Sequence, residues 1–226
     1  MPHILLRLPY THILSQNAEH MFSLVIQVTN FEKIFRINLI NSITGIKPAN
    51  LIGTKANSGQ TNLAIFSSVV HMGSNPPLIG MISRPSGEVE RHSLSNLEET
   101  GHYTINHLPN AFHRNGHYTS AKFPKETSEF EACGFTELYT KTMRAPYVKE
   151  SKLSLGMQHL ESIPIKQNGT ILILGEVREI RLNGIEVEAD GSLDLGRIES
   201  TGISGLDTYY RFEKIEKHPY ARVEDY

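Results

Sequence analysis

LINSITGIKPANLIGTKANSGQTNLAIFSSVVHMGSNPP, residues 39–77, is the stretch whose reading decides the fold. Within it Asn50 to Thr54 reads as a short strand, and Asn57-Ser58-Gly59 has the residues of a turn that closes it. QTNLAIFSSVVHMG (60–73) follows, β-branched and aromatic, too uniformly apolar for a surface strand. Pro76-Pro77 breaks the chain, LIGMIS (78–83) reads as a second buried strand, and Arg84-Pro85-Ser86-Gly87 ends it.

Upstream, Phe31 to Ile40 has the pattern of a helix start that becomes an apolar lead-in. Residues 1–20 show no usable period or cap and form a poorly defined N-terminal segment; Met21 opens the better-behaved part. Downstream, Ser95-Asn96-Leu97-Glu98 has the spacing of a capping box and Gly101 sits where a C-terminal cap belongs, which predicts a helix near Leu94 to Thr100. HYTINHL (102–108) alternates as a strand does, and a short helix is expected from about Ser128 to Cys133, closed by Gly134. Gly169 to Ile180 is a long β-rich run behind an Asn-Gly turn. Asn183-Gly184 marks the next hairpin, and Ile185–Ala189 and Leu193–Leu195 flank a turn at Asp190-Gly191. Short strands at this spacing, with small helices, predict a mainly β chain built as an antiparallel barrel or sandwich. No repeat or linker divides residues 21–226, which read as one domain.

Composition narrows the class. The chain has 226 residues, 39% hydrophobic and 20% charged, enough for a real core. A net charge of −2 and the lack of a dense Lys/Arg tract argue against nucleic acid or a membrane surface as partner. Cys133 is the sole cysteine, so no intrachain disulfide forms, which fits a reducing cytoplasm. The apolar run His3 to Leu8 is short and interrupted by Arg7 and Pro9, a poor signal peptide and no transmembrane helix.

Neither a phosphate-binding G-x-x-x-x-G-K-[ST] loop nor G-x-G-x-x-G is present, and Gly202-Ile203-Ser204-Gly205 has the wrong spacing for a nucleophile elbow. Asp190-Gly191-Ser192-Leu193-Asp194 fails the glycine and glutamate positions of a calcium loop. His113 and His117 stand four apart, but Asn115-Gly116 between them reads as a turn and nothing nearby completes a ligand set, so no metal is expected.

With the residues laid out, a resemblance emerges. Residues 39–77 look like the opening of the flavin reductase-like, FMN-binding split-barrel family, chiefly through Thr61-Asn62 and Phe66-Ser67-Ser68. RHSLSNLEETGHYTIN (91–106) is similar to that family's phosphate-loop helix and following strand, and SGLDTYYR (204–211) to its ending. The chain departs from the family at Arg91-His92-Ser93, where Lys-Asp-Thr is usual. The resemblance implies a split β-barrel of Greek-key type with short flanking helices and FMN as cofactor. It further implies a homodimer with sites at or near the subunit interface, and NADH or NADPH as reductant. A bound electron carrier, or an oxidase related to pyridoxamine-phosphate oxidase, remains open beside a reductase, and no catalytic residue is nominated.

Chemistry supports a donor set beside that resemblance. An FMN phosphate needs a cation and several N–H or O–H donors. Arg91 supplies a fork of donors, Ser93 and Ser95 supply hydroxyls, Asn96 lies on the same helix, and a helix start adds free amides. A capped helix beside a solvated arginine is the ordinary alternative. In an extended strand Asn62, Ala64, Phe66 and Ser68 share one face, opposite Thr61, Leu63, Ile65 and Ser67. Asn62 and Ser68 offer hydrogen bonds and Ala64 lets a flat ring approach, whereas Leu63 and Ile65 read as core. Arg84 is a second candidate phosphate or nicotinamide contact, and His117-Tyr118-Thr119-Ser120 resembles a loop of the family that can border the flavin, which makes His117 and Thr119 candidate contacts, a surface-turn histidine being the alternative.

Overall fold

The structure is a computed structural model that describes residues 31–85 and 91–223. The sequence-based reading of residues 1–20, and Ser86 and Gly87 of the expected strand end, lie outside the described residues. The chain divides into two compact units, residues 1–36 and 37–226, and every sheet among the described residues belongs to the second. Helix α1 (Lys33–Ser42) runs past the Ile40 limit read from the sequence.

Twelve strands follow: β1 (Lys47–Pro48), β2 (Asn50–Lys55), β3 (Thr61–Phe66), β4 (Val69–Ser74), β5 (Pro77–Ser83), β6 (His102–His107), β7 (Glu137–Leu138), β8 (Tyr147–Val148), β9 (Leu153–Ile165), β10 (Thr170–Leu182), β11 (Thr201–Ser204) and β12 (Thr208–Arg211). Between them lie the short helices α2 (His92–Thr100), α3 (His113–Tyr118), α4 (Glu129–Ala132) and α5 (Leu195–Ile198). The mainly β, antiparallel reading is therefore what the chain builds. Seven strands form the main sheet in the order β3-β2-β6-β9-β10-β5-β4, beside a three-stranded sheet (β1-β11-β12) and the β7–β8 pair.

Closure of the main sheet follows from chain length. Its two edge strands, β3 and β4, are consecutive in sequence and joined only by Ser67-Ser68. A flat sheet of seven strands would hold its edges roughly 29 Å apart, whereas that joint reaches about 11 Å. The sheet must curl, and the Ser68 hydroxyl fixes the seam by donating to Ile82 O (3.0 Å) and accepting Ile82 N–H (3.2 Å) on β5. The interior holds Ile52, Met81, Tyr103, Ile105, Met157 and Ile173, and Leu94 and Leu97 of α2 pack into the same cluster. A second core forms from Leu51 and Leu63 with Phe130, Phe135, Val148 and Ile203.

Several local readings are corrected. Residues 60–73 form two strands, not one, and the second is not buried: Val70 and Met72 of β4 are 50% and 49% exposed. Their apolar side chains lie on the outer face of the sheet, where Met72 and Leu172 flank the bare Gly80. Helix α2 begins at His92, with Arg91 at the N-cap position but making no side-chain cap, so Ser95 sits inside the helix and no capping box forms. Only its end agrees with the sequence reading: Gly101 adopts φ 72° and donates to Leu97 O. Residues 113–118 are a helical turn, since Gly116 acts here as a packing residue: a Cβ there would lie 2.6 Å from Leu108 Cδ1. Residues 185–195 hold no strand, and Asp194, accepting from Gly196 and Arg197 N–H, instead starts α5. Among the described residues no helix is long and apolar enough to cross a membrane.

Candidate functional site

Strand β3 is paired on one flank only, with β2 in the register Thr54↔Asn62 and Ile52↔Ala64. An antiparallel strand points alternate amides to alternate flanks. Leu63 N–H leaves the sheet and is accepted by Glu129 Oε2 at 2.9 Å, which puts the amides of Thr61, Leu63 and Ile65 on the open flank. Ser128, the residue before α4, meets the Thr61 hydroxyl at 2.7 Å, and Thr61 also donates to Glu137 Oε1. The open edge is thus hydrogen-bonded at Thr61 and Leu63, and beyond them no described residue hydrogen-bonds to it. Burial pushes the Glu129 carboxyl above its ordinary range, while the Leu63 amide opposes that shift.

The opposite side of β3 meets α2. Asn62 Nδ2 donates to Ser93 Oγ at 2.9 Å, and Asn96 Nδ2 donates to Thr54 Oγ1 at 3.1 Å; all four residues are buried. These two bonds fix the start of α2 against the β2–β3 pair. No side chain among the described residues caps α2, and no acidic residue lies in its first turn. The first amides of the helix therefore stay available beside Arg91, whose Nε donates to Pro85 O at 3.4 Å. Among the described residues no side chain accepts from these amides, the arrangement an anionic group requires.

The remaining candidates are placed variously. Ala64 is half-buried between Asn62 and Phe66, and Phe66 packs on the barrel interior. Leu63 is wholly buried in the outer core, so only its backbone reaches the strand edge. Ser67 is half-buried at the seam, where the Ser68 hydroxyl is committed to β5. Strand β3 ends at Phe66, so the alternation that grouped Ser68 with Asn62 does not carry that far. Arg84 is exposed two residues beyond Ile82. His117 and Thr119 lie on a different element: His117 Nδ1 is 3.0 Å from Tyr209 Oη, and the Thr119 hydroxyl caps α3 by donating to Gly116 O.

Sequence reasoning missed Thr54, Ser128, Glu129 and Glu137. The Thr54–Asn62 pairing follows from the Asn57-Ser58-Gly59 turn, so Thr54 was reachable by counting back from it. The other three act across more than sixty residues and carry no local signal. Cys133 is buried, and burial together with Glu129 pushes its thiol up to about 11, so it stays protonated at neutral pH. No group of three metal-ligating side chains occurs among the described residues.

Comparison with known proteins agrees with this fold. A split-barrel protein of Shewanella frigidimarina NCIMB 400, assigned as a flavin reductase, is 44% identical, covers 86% of this chain and 96% of its own, and superposes with a TM-score of 0.82. Two more distant structures share the fold. Nitrilotriacetate monooxygenase component B of Bacillus cereus is 17% identical, with 87% of this chain and 99% of that one covered and a TM-score of 0.78. Flavoredoxin of Desulfovibrio vulgaris (Miyazaki F) is 19% identical, with 78% and 92% covered and a TM-score of 0.67. Residues 46–194 match the model of the flavin reductase like domain. That match spans all seven strands of the main sheet together with α2 and α4, and the chain belongs to the flavin reductase like domain family.

Proposed function

We propose that this chain binds FMN and transfers hydride from NADH or NADPH to it, as a cytoplasmic homodimer. The observation that carries the reading is the start of α2, which has no side-chain cap among the described residues and no acidic residue in its first turn, held against β3 by Asn62–Ser93. Arg91, Ser93 and the first amides of α2 would hold the phosphate. The open edge of β3 beyond Leu63 would offer the Ile65 and Ser67 amides to the ring, with Ala64 leaving room for its approach. When bound, the flavin supplies the hydride-accepting centre, so the protein's part is binding, orientation and exclusion of water. Membership in the family and the 44% identity to the Shewanella protein support this assignment.

The homodimer is supported by the outer face of β4, β5, β10 and β9. Registers Val70↔Gly80↔Leu174 and Ile82↔Leu172↔Ile163 line up an apolar patch around Gly80. Val70 and Met72 are half-exposed there, and a face of this kind is normally covered. An absorption spectrum of the purified protein, before and after FMN and then anaerobic NADH or NADPH, tests the function. Flavin bands that bleach rapidly with nicotinamide are the expected result. Bands that bleach only with dithionite would indicate an electron carrier or another oxidase, and no flavin binding at micromolar protein would overturn the reading.

A further inference from the structure

We propose that a cleft on the outer face of the β2–β3 turn binds the phosphorylated adenosine end of NADPH, and so sets a preference for NADPH over NADH. This deepens the reductase reading and rests on it. The cleft has a volume of about 300 Å³ and is lined by Lys55, Asn57, Gly59, Tyr139, Met143 and Arg144. That size, at the low end for small-molecule sites, suits one mononucleotide and not a whole dinucleotide. It is separate from the phosphate position at Ser93. Thr54 and Asn62 face α2, whereas Lys55 and Thr61, one residue along each strand, face the other way.

Two cations converge on the cleft without being neutralised. Lys55 Nζ donates to Tyr139 Oη at 3.2 Å and lies 4.7 Å above that ring. Arg144 Nη2 donates to Asn57 Oδ1 at 3.2 Å. Neither has a carboxylate within ion-pair distance among the described residues. Two carboxylates stand at the rim, Glu99 accepting Asn57 N–H and Glu137 accepting from Thr61 and Tyr139, and neither forms an ion pair with Lys55 or Arg144. A phosphate monoester carries nearly two negative charges and matches a guanidinium fork beside an ammonium. The half-exposed Tyr139 ring supplies the apolar surface that a purine needs and a bare phosphate does not. The bare Gly59, with nothing within 4 Å of its Cβ position, leaves the mouth of the cleft open.

The test is calorimetric titration of the purified protein with 2′,5′-ADP, 5′-AMP and inorganic phosphate, repeated on Arg144→Ala and Lys55→Ala. The expected result is 2′,5′-ADP binding more tightly than 5′-AMP, with a loss of about tenfold or more in either variant, as for removal of one charged hydrogen-bond donor. Arg144 is exposed, so its variant should keep the melting temperature of the parent. Absence of 2′,5′-ADP binding, or binding equal in parent and Arg144→Ala, overturns the proposal, and inorganic phosphate binding as tightly as 2′,5′-ADP overturns the adenosine part. Anaerobic flavin bleaching separates the two levels. Bleaching by NADH and NADPH at equal KM sinks this proposal alone, while bleaching by neither sinks the reductase reading.

Discussion

Alanine at Asn62 and at Ser93, singly and together, probes the joint between strand and helix. The amide of Asn62 donates to Ser93 Oγ at 2.9 Å, and the two residues are 7% and 8% exposed. A buried neutral hydrogen bond contributes about 1 kcal/mol net, and a partner left unsatisfied adds a further cost, so each single variant should lose about 1–2 kcal/mol. For a unit of this size that lowers the melting temperature by roughly 2–8 °C. The double variant removes both partners, so the two losses should fail to add by about 1 kcal/mol. Urea unfolding of the four flavin-free proteins, followed by circular dichroism, measures the cycle. A coupling below about 0.5 kcal/mol, within ordinary additivity error, would refute the claim that this bond ties α2 to β3. Added FMN extends the test: Ser93→Ala should raise its Kd about tenfold, the loss of one good hydrogen bond to a charged group.

Tyr103 is wholly buried and its hydroxyl has no hydrogen-bond partner among the described residues, so Tyr103→Phe should leave stability unchanged or raise it by about 1 kcal/mol; a large loss would reveal a hidden partner. Burial lowers the imidazole of His107 from 6.5 to about 4, and its Nδ1 lies 2.9 Å from Ser200 Oγ. The unfolded chain therefore binds a proton that the fold refuses. Stability is full above about pH 6.5 and falls as pH drops toward 4, by up to about 3 kcal/mol. His107→Gln should flatten that part of the pH–stability curve, and an unchanged slope would assign the acid sensitivity elsewhere. Val70→Glu with Met72→Glu should shift the protein toward monomer in light scattering at unchanged circular dichroism; an undisturbed dimer would place the interface on another face.

What the sequence disclosed was local. Strands β2, β5 and β6 are bounded by turn residues, prolines or glycine, and their limits could be read directly. The break at Ser67-Ser68 contains neither glycine nor proline, so β3 and β4 merged into one run although they lie at opposite edges of the sheet. Strand β9 escaped notice because Gly156, Gln158, His159, Glu161 and Pro164 interrupt its pattern, and register shifts against β10 spoil the two-residue period. Ser95 misled because Leu94 and Leu97 must both reach the barrel interior, which requires α2 to start earlier than its best cap. At the site, Asn62, Ser93 and Asn96 were legible as donors. Their pairing, the carboxylate that takes Leu63 N–H, and the meeting of Lys55 with Tyr139 and Arg144 all depend on long-range folding.

The order of strands also constrains how the chain reaches this state. Hairpins β2–β3 and β4–β5 involve near neighbours and can form early, linked by a two-residue swivel. Nothing joins them across the barrel until β9–β10, residues 153–182, inserts between β6 and β5. Until then both of those strands present unpaired edges, which are templates for association with other chains. Folding is therefore governed by a late, non-local insertion and should be slow for a domain of this length. During synthesis, the interval between emergence of β6 and completion of β10 is the period in which the nascent chain most needs protection.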